Sequence, residues 1–118
     1  MSANRDELLL KYIDDLKDKC GIIPDIPLLT KVIVVCGPSI YNKDGSLVAV
    51  TQQSELDTVK DSFLIKRLGL SDGPELDKGI EAVIDKYGRT NEYKYRAVVY
   101  YLLTRHFNKE KVFSEISV

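Results

Sequence analysis

The chain has 118 residues, 44% of them apolar and 30% charged, with a formal net charge of −1. This length and balance fit one domain with its own core and exclude a disordered chain. The near-neutral charge excludes a global basic field, so binding driven by nucleic-acid phosphates or an anionic membrane is not expected.

The first predicted helix runs from about Arg5 to Cys20. Leu9, Ile13, Leu16 and Cys20 fall on one stripe, Glu7–Lys11 and Asp15–Lys19 are i,i+4 pairs on the wet side, and Gly21 is the natural stop. Leu8 to Leu10 are too few, and too closely flanked by Asp6, Glu7 and Lys11, to form a signal peptide. With no apolar run long enough for a membrane span, a soluble cytoplasmic protein is expected.

The second helix opens with Asp25 as N-cap and Pro27 in its first turn, then reads LLTKVIVVC to Gly37. A strand over Lys31–Cys36 is the alternative, since Val and Ile favour strands; the proline start and glycine exit favour helix. Cys20 and Cys36 fall at opposite ends of an antiparallel helix pair, separated by about 15 Å of rise, whereas a disulfide needs Cα atoms within about 7 Å. Both are expected as buried thiols. With His106 the single histidine and no CxxC, no metal site is expected.

The stretch GPSIYNKDGS, residues 37–46, interrupts the helices. Gly37-Pro38 reads as a helix stop and Asp44-Gly45 as a tight turn. Ile40 and Tyr41 are expected to pin the loop to the core. Leu47 to Val50 is too apolar for solvent and is expected to dock as an extended segment or short strand. A third helix follows, with a capping box Ser54-Glu-Leu-Asp57, inward Leu56, Val59, Phe63 and Leu64, and an end at Gly69. A fourth opens at Asp72-Gly-Pro-Glu75 with Asp72 as cap, carries the stripe Leu76, Ile80, Val83, Ile84 and Tyr87, and closes at Gly88. The last is expected to be capped by Thr90 or Asn91 and to run to about Phe107, its uncharged middle, Ala97 to Leu103, surrounded by the other helices. Residues 109–118 carry no pattern and are expected to fray. The resulting fold class is all-α: a single-domain bundle of about five helices with one ordered connector between the second and third.

Three blocks, GPSIYNKDGS, TVKDSFLIKRLGL and KYRAVVYYLL, resemble an uncharacterised family of small bacterial proteins, domain of unknown function number 2853. The resemblance runs from the first helix to about Phe107. It implies a small, soluble, cytoplasmic bacterial protein and supplies no catalytic residues, so chemistry rests on the residues themselves.

Several motifs fail at named positions. Asn42-x-Asp44-Gly45 copies part of a calcium loop, but Ile40 and Thr51 stand where its two principal carboxylates belong. Gly37-x-Ser39-x-Tyr41 lacks the second glycine of a nucleophile elbow. The helix-turn-helix reading around Gly69 fails on an acidic second helix with Glu75 at the packing position. Ser39, Cys36, Tyr41 and His106 are the available pieces of a nucleophilic site, and nothing in the sequence brings them together. From Lys86 to Lys111 the chain is basic, with Lys86, Arg89, Lys94, Arg96, Arg105, Lys109 and Lys111 against Glu92 and Glu110, and with Tyr93 and Tyr95 interleaved. Its structural reading pairs Lys94 or Arg96 with acids of the fourth helix.

The preferred expectation is a non-enzymatic module that binds another protein or self-associates. The alternative is a small-anion or nucleotide-like ligand site, in an enzyme or a binding protein, formed where the Ser39–Asp44 loop meets Lys94 and Arg96. The candidate binding residues are Ser39, Tyr41, Asn42, Lys43, Asp44, Lys94, Arg96 and His106. No cofactor, membrane or nucleic acid is expected to take part.

Overall fold

The computed structural model describes residues 5–88 and 93–116, except for the side chains of Lys43 and Asp44. Helix α1 (Arg5–Cys20) ends at Gly21, whose φ of +67° suits glycine, and the Ile22 N–H turns back to the Leu16 carbonyl. Its buried stripe is Leu8, Tyr12, Leu16 and Cys20, one register away from the predicted Leu9 and Ile13, which are half-buried. The run Leu8-Leu9-Leu10 supports either register locally. Packing against α2 (Ile26–Cys36), α5 (Pro74–Tyr87) and α6 (Arg96–His106) selects the one that buries the Tyr12 ring.

Helix α2 confirms the helical reading of Lys31–Cys36. Asp25 Oδ1 accepts from the Leu28 N–H at 3.2 Å, and Gly37 leaves the helix at φ +76°. The connector then makes a 3₁₀ turn, Pro38–Tyr41, and one helical turn, α3 (Lys43–Ser46), before strand β1 (Leu47–Ala49). The expected tight turn at Asp44-Gly45 is therefore a turn of helix. Gly45 is needed there for space: a Cβ would lie 2.2 Å from the Ser39 carbonyl oxygen.

Two predicted caps are not made. α4 (Gln53–Thr58) starts from Gln52, so Ser54 lies inside the helix and its expected capping box with Asp57 does not form. Asp57 accepts instead from Gln53 Nε2 at 2.8 Å. α5 starts from Gly73 with no side-chain cap, while Asp72 stands 4.0 Å from the Lys60 ammonium. Both stretches contain more than one residue able to start a helix, and tertiary packing sets the start. α4 passes without a break into a π-helix, Val59–Ile65, which buries Val59, Phe63 and Leu64.

The all-α expectation needs a correction at the last helix. Tyr93–Tyr95 is a strand, β2, antiparallel to β1, with Leu47 opposite Tyr95, Val48 opposite Lys94 and Ala49 opposite Tyr93. The protein is thus mostly helical with a small two-stranded sheet. α6 begins only at Arg96, with Tyr95 as N-cap; the predicted caps Thr90 and Asn91 lie outside the described residues. The docked segment after the connector is the other half of this pair.

All of Ala97 to Thr104 is buried, as expected for a central helix packed on α2, α5 and α1. The Asp25 N–H donates to the Tyr101 hydroxyl at 2.7 Å and ties the start of α2 to α6. Over residues 109–116 the tail is not frayed as expected, while residues 117 and 118 lie outside the described residues. A 3₁₀ turn, Glu110–Phe113, sets Phe113 in the core at 0% exposure, its ring 6.4 Å from that of Phe63. One aromatic anchor in a polar stretch makes no periodic pattern. Cys20 is buried, Cys36 half-buried, and both thiols are free.

Candidate functional site

The connector is held from α6. Arg96 Nε donates to the Gly45 carbonyl at 2.9 Å, Nη2 to the Leu47 carbonyl at 3.1 Å, and Nη1 to the Tyr100 hydroxyl at 3.2 Å. Three of its five N–H donors are thus spent on the fold. The predicted pairing with acids of α5 is replaced by this clamp on carbonyls.

Beside the clamp lies a cleft of about 340 Å³, within the roughly 300–1,000 Å³ range of small-molecule sites. One wall is Cys36, Ser39, Gly45 and Arg96; the other comes from the π-helical segment and its flanks, Thr58, Ser62, Phe63 and Arg67. Tyr100 closes it, stacked on Phe63 with ring centroids 3.9 Å apart. Ser39 donates its hydroxyl to the Cys36 carbonyl at 3.3 Å, and Thr58 to that of Ser54 at 3.0 Å. Among the described residues, nothing pairs with the Arg67 guanidinium. Among the described residues no acidic side chain lines the cleft, though Glu55 is near enough to add to the upward shift of the Tyr100 phenol.

Burial pushes the Tyr100 phenol above its ordinary range, with the Arg96 hydrogen bond pulling it part-way back. It therefore stays protonated and can donate. Burial also pushes the Cys36 thiol up to about 12, so at neutral pH it is not a thiolate.

The candidate residues separate in space. Ser39 and Arg96 meet in this cleft. Tyr41 and Asn42, on the other side of the connector, line a second cleft with Lys11, Tyr12 and Tyr95. Lys43 and Asp44 begin α3, and their side chains lie outside the described set. Lys94 is only 3% exposed, on the strand position opposite Val48, with its ammonium 5.0 Å from the Tyr87 ring centroid. Burial lowers its pKa, as does the nearby Lys19, while Asp15 opposes the change. His106 lines a third cleft with Ile22, Ile23, Val83, Tyr101 and Leu102, none of which borders the Arg96 cleft. Its ring meets that of Phe107 edge-on at 4.8 Å. Ser39 and Cys36 therefore share a cleft that His106 does not line. Among the described residues no group of His, Cys, Asp and Glu is arranged to hold a metal ion.

The sequence matches the family described as a protein of unknown function (DUF2853) over residues 11–111. The chain belongs to that family. No curated relative matches it. The matched span holds every residue of the DUF2853 chain that lines the Arg96 cleft. No helix among the described residues is long and apolar enough to cross a membrane.

Sequence reasoning missed Thr58, Ser62, Arg67 and Tyr100. One signal was available for Arg67: positions three and four residues away hold Phe63, Leu64, Leu70 and Ser71, so no helical ion pair can hold it.

Proposed function

We propose that this protein is a cytoplasmic bacterial binding protein for a small anion, taken up in the cleft between Arg96 and Arg67. The observation that carries the proposal is the lining of that cleft: two guanidinium groups, one prepositioned and one without a partner among the described residues, and no carboxylate among the described side chains of the wall. Arg67 brings its full donor fork, Arg96 two remaining N–H groups, and Tyr100 and Ser62 hydroxyl donors, a set suited to phosphate or carboxylate oxygens. The π-helical wall adds support, because such segments are rare and gather at functional sites. Binding is favoured over catalysis by the protonated Cys36 thiol and by the separation of His106 from Ser39. The family resemblance supports the bacterial, cytoplasmic assignment.

The test is a thermal-shift screen with inorganic phosphate, pyrophosphate, sugar phosphates and nucleotides. A ligand at one hundred times its Kd raises stability by about 2.7 kcal/mol. Stabilisation by at least one compound, lost in Arg67→Ser, is expected. A screen in which none stabilises the wild type defeats the proposal.

The alternative, association with another protein or a second copy, is favoured by one observation. Ile23 is 88% exposed at the edge of the third cleft, beside Val83, Tyr101 and Leu102. Light scattering over a concentration series should then show a dimer that Ile23→Ser dissociates; a monomer at every concentration removes self-association.

A further inference from the structure

We propose that the second cleft, between α1, the connector and Tyr95, is a separate binding site for a small aromatic carboxylate. Its volume is about 370 Å³, and its walls are Leu8, Lys11 and Tyr12 of α1, Ile40 to Asn42 with Ser46 and Leu47 of the connector, and Tyr95.

The first observation is the Tyr12 hydroxyl. Tyr12 is 0% exposed, and among the described residues its buried oxygen has no hydrogen-bond partner. Nearly every buried hydroxyl in a folded protein has a partner, and an unmet one weakens the fold, so an orphan in a cleft wall points to an acceptor supplied from outside. Burial raises the Tyr12 pKa, with Cys36, Tyr95 and Tyr41 adding to it, so the phenol remains a donor across the neutral range.

The second observation is the character of the walls. Three tyrosines border the cleft, with the Tyr12 and Tyr95 rings 5.2 Å apart and tilted by 55°, and Tyr41 half-exposed at the rim. Ring faces and edges in this arrangement favour a flat aromatic guest. Among the described residues the one ionic side chain in the lining is Lys11, whose ammonium lies 5.0 Å from the Tyr95 centroid. With one cation, no arginine and no acid among the described lining residues, the cleft suits a singly charged carboxylate better than a phosphate dianion. The ring packs against Tyr41 and Tyr95, Lys11 balances the charge, and Tyr12, whose hydroxyl is closed off from solvent, donates to an oxygen once the guest parts the wall.

The experiment is titration of the wild-type protein with benzoate, 4-hydroxybenzoate and indole-3-acetate, followed by amide NMR shifts and calorimetry. Cyclohexanecarboxylate and benzyl alcohol serve as controls lacking the ring or the charge. Saturable binding of at least one aromatic acid is expected, with shifts confined to α1, the connector and residues 93–96. Tyr12→Phe should bind about tenfold more weakly, since a hydrogen bond to a charged acceptor is worth about that factor, while melting no lower than wild type. Lys11→Gln, at an exposed position, should lose the preference for benzoate over benzyl alcohol. Arg67→Ser should bind the aromatic acids unchanged, which separates this site from the Arg96 cleft. No binding of any aromatic acid, equal affinity in Tyr12→Phe, or equal affinity for cyclohexanecarboxylate would overturn the assignment.

Discussion

Replacing Gly45 by alanine sets two physical effects against each other. Gly45 lies in the single turn α3, where alanine is the better helix former by about 1 kcal/mol, so propensity alone predicts stabilisation. The space around it predicts the opposite. The new Cβ would stand 2.2 Å from the Ser39 carbonyl oxygen and 2.8 Å from its carbon. Relief requires a shift of about 1 Å in closely packed backbone. Neither side can move alone. Ser39 precedes Ile40, which is 1% exposed in the core, and the Gly45 carbonyl is bonded to Arg96 Nε. Overpacking costs about 1–3 kcal/mol, and losing a hydrogen bond from a charged donor costs about 1.5–3 kcal/mol. Set against the propensity gain, the net loss is about 1.5–5 kcal/mol, or a fall in Tm of about 5–20 °C for a chain of this size. Urea denaturation followed by circular dichroism should show a lower midpoint with an unchanged slope. Gly37→Ala is the control, because a Cβ there meets nothing within 4 Å and only the φ of +76° opposes it, at about 1–2 kcal/mol. If Gly45→Ala is as stable as the wild type or more so, the close approach does not constrain the connector and the reasoning fails.

Arg96→Lys keeps the charge but loses the fork across two carbonyls; a destabilisation of about 2 kcal/mol is expected in urea melts, against about zero for Arg67→Ser, and equal effects would contradict the clamp. Burial raises the Cys36 thiol to about 12 and the Cys20 thiol to about 11, from 9.0 when unfolded. The unfolded chain therefore ionises first, so stability should be level below pH 9 and fall across about pH 9–12, by up to about 1.4 kcal/mol per pH unit for each thiol. Urea midpoints that stay constant from pH 7 to 11 would refute the burial of these groups. Phe113→Ala should cost about 3–5 kcal/mol, the value for a core aromatic, where a frayed tail would register nothing.

Elements punctuated by glycine and proline were legible in the sequence. α1, α2 and α5 end where their stops put them, and α2 and α5 carry the predicted faces, because a positive-φ glycine or an early proline acts within one turn of chain. The α1 stripe is one register away because its leucine run fits either register. What escaped is non-local. Tyr93–Tyr95 reads as the start of a helix until Leu47–Ala49, some 45 residues earlier, supplies its ladder partner. The π-helix leaves the same residue types facing inward as an α-helix would, so Val59, Phe63 and Leu64 were expected in the core while Ser62 and Arg67 were not expected beside Arg96. The connector and Arg96 stood out by composition and charge. That Arg96 would hold carbonyls, leaving Arg67 as the cleft's guanidinium without a partner among the described residues, depends on a contact spanning 51 residues.

The constraints on the connector exceed what reversing the chain requires. A turn between helices needs a glycine exit and a few local hydrogen bonds. Residues 37–47 have in addition a buried Ile40, a glycine admitted for a close approach, and an arginine bonded to the carbonyls at residues 45 and 47. Between these anchors the same segment presents Ser39 to one cleft and Tyr41 and Asn42 to the other. Ordering such side chains at the moment of binding would cost roughly 0.5–1.5 kcal/mol for each, and a segment already fixed by the fold avoids that cost. Under the proposed binding, Gly45 and Arg96 would act on affinity through the position of the connector as well as on stability. A connector fixed on both flanks, with polar and aromatic groups left facing clefts, is the preorganisation that the proposed binding would need.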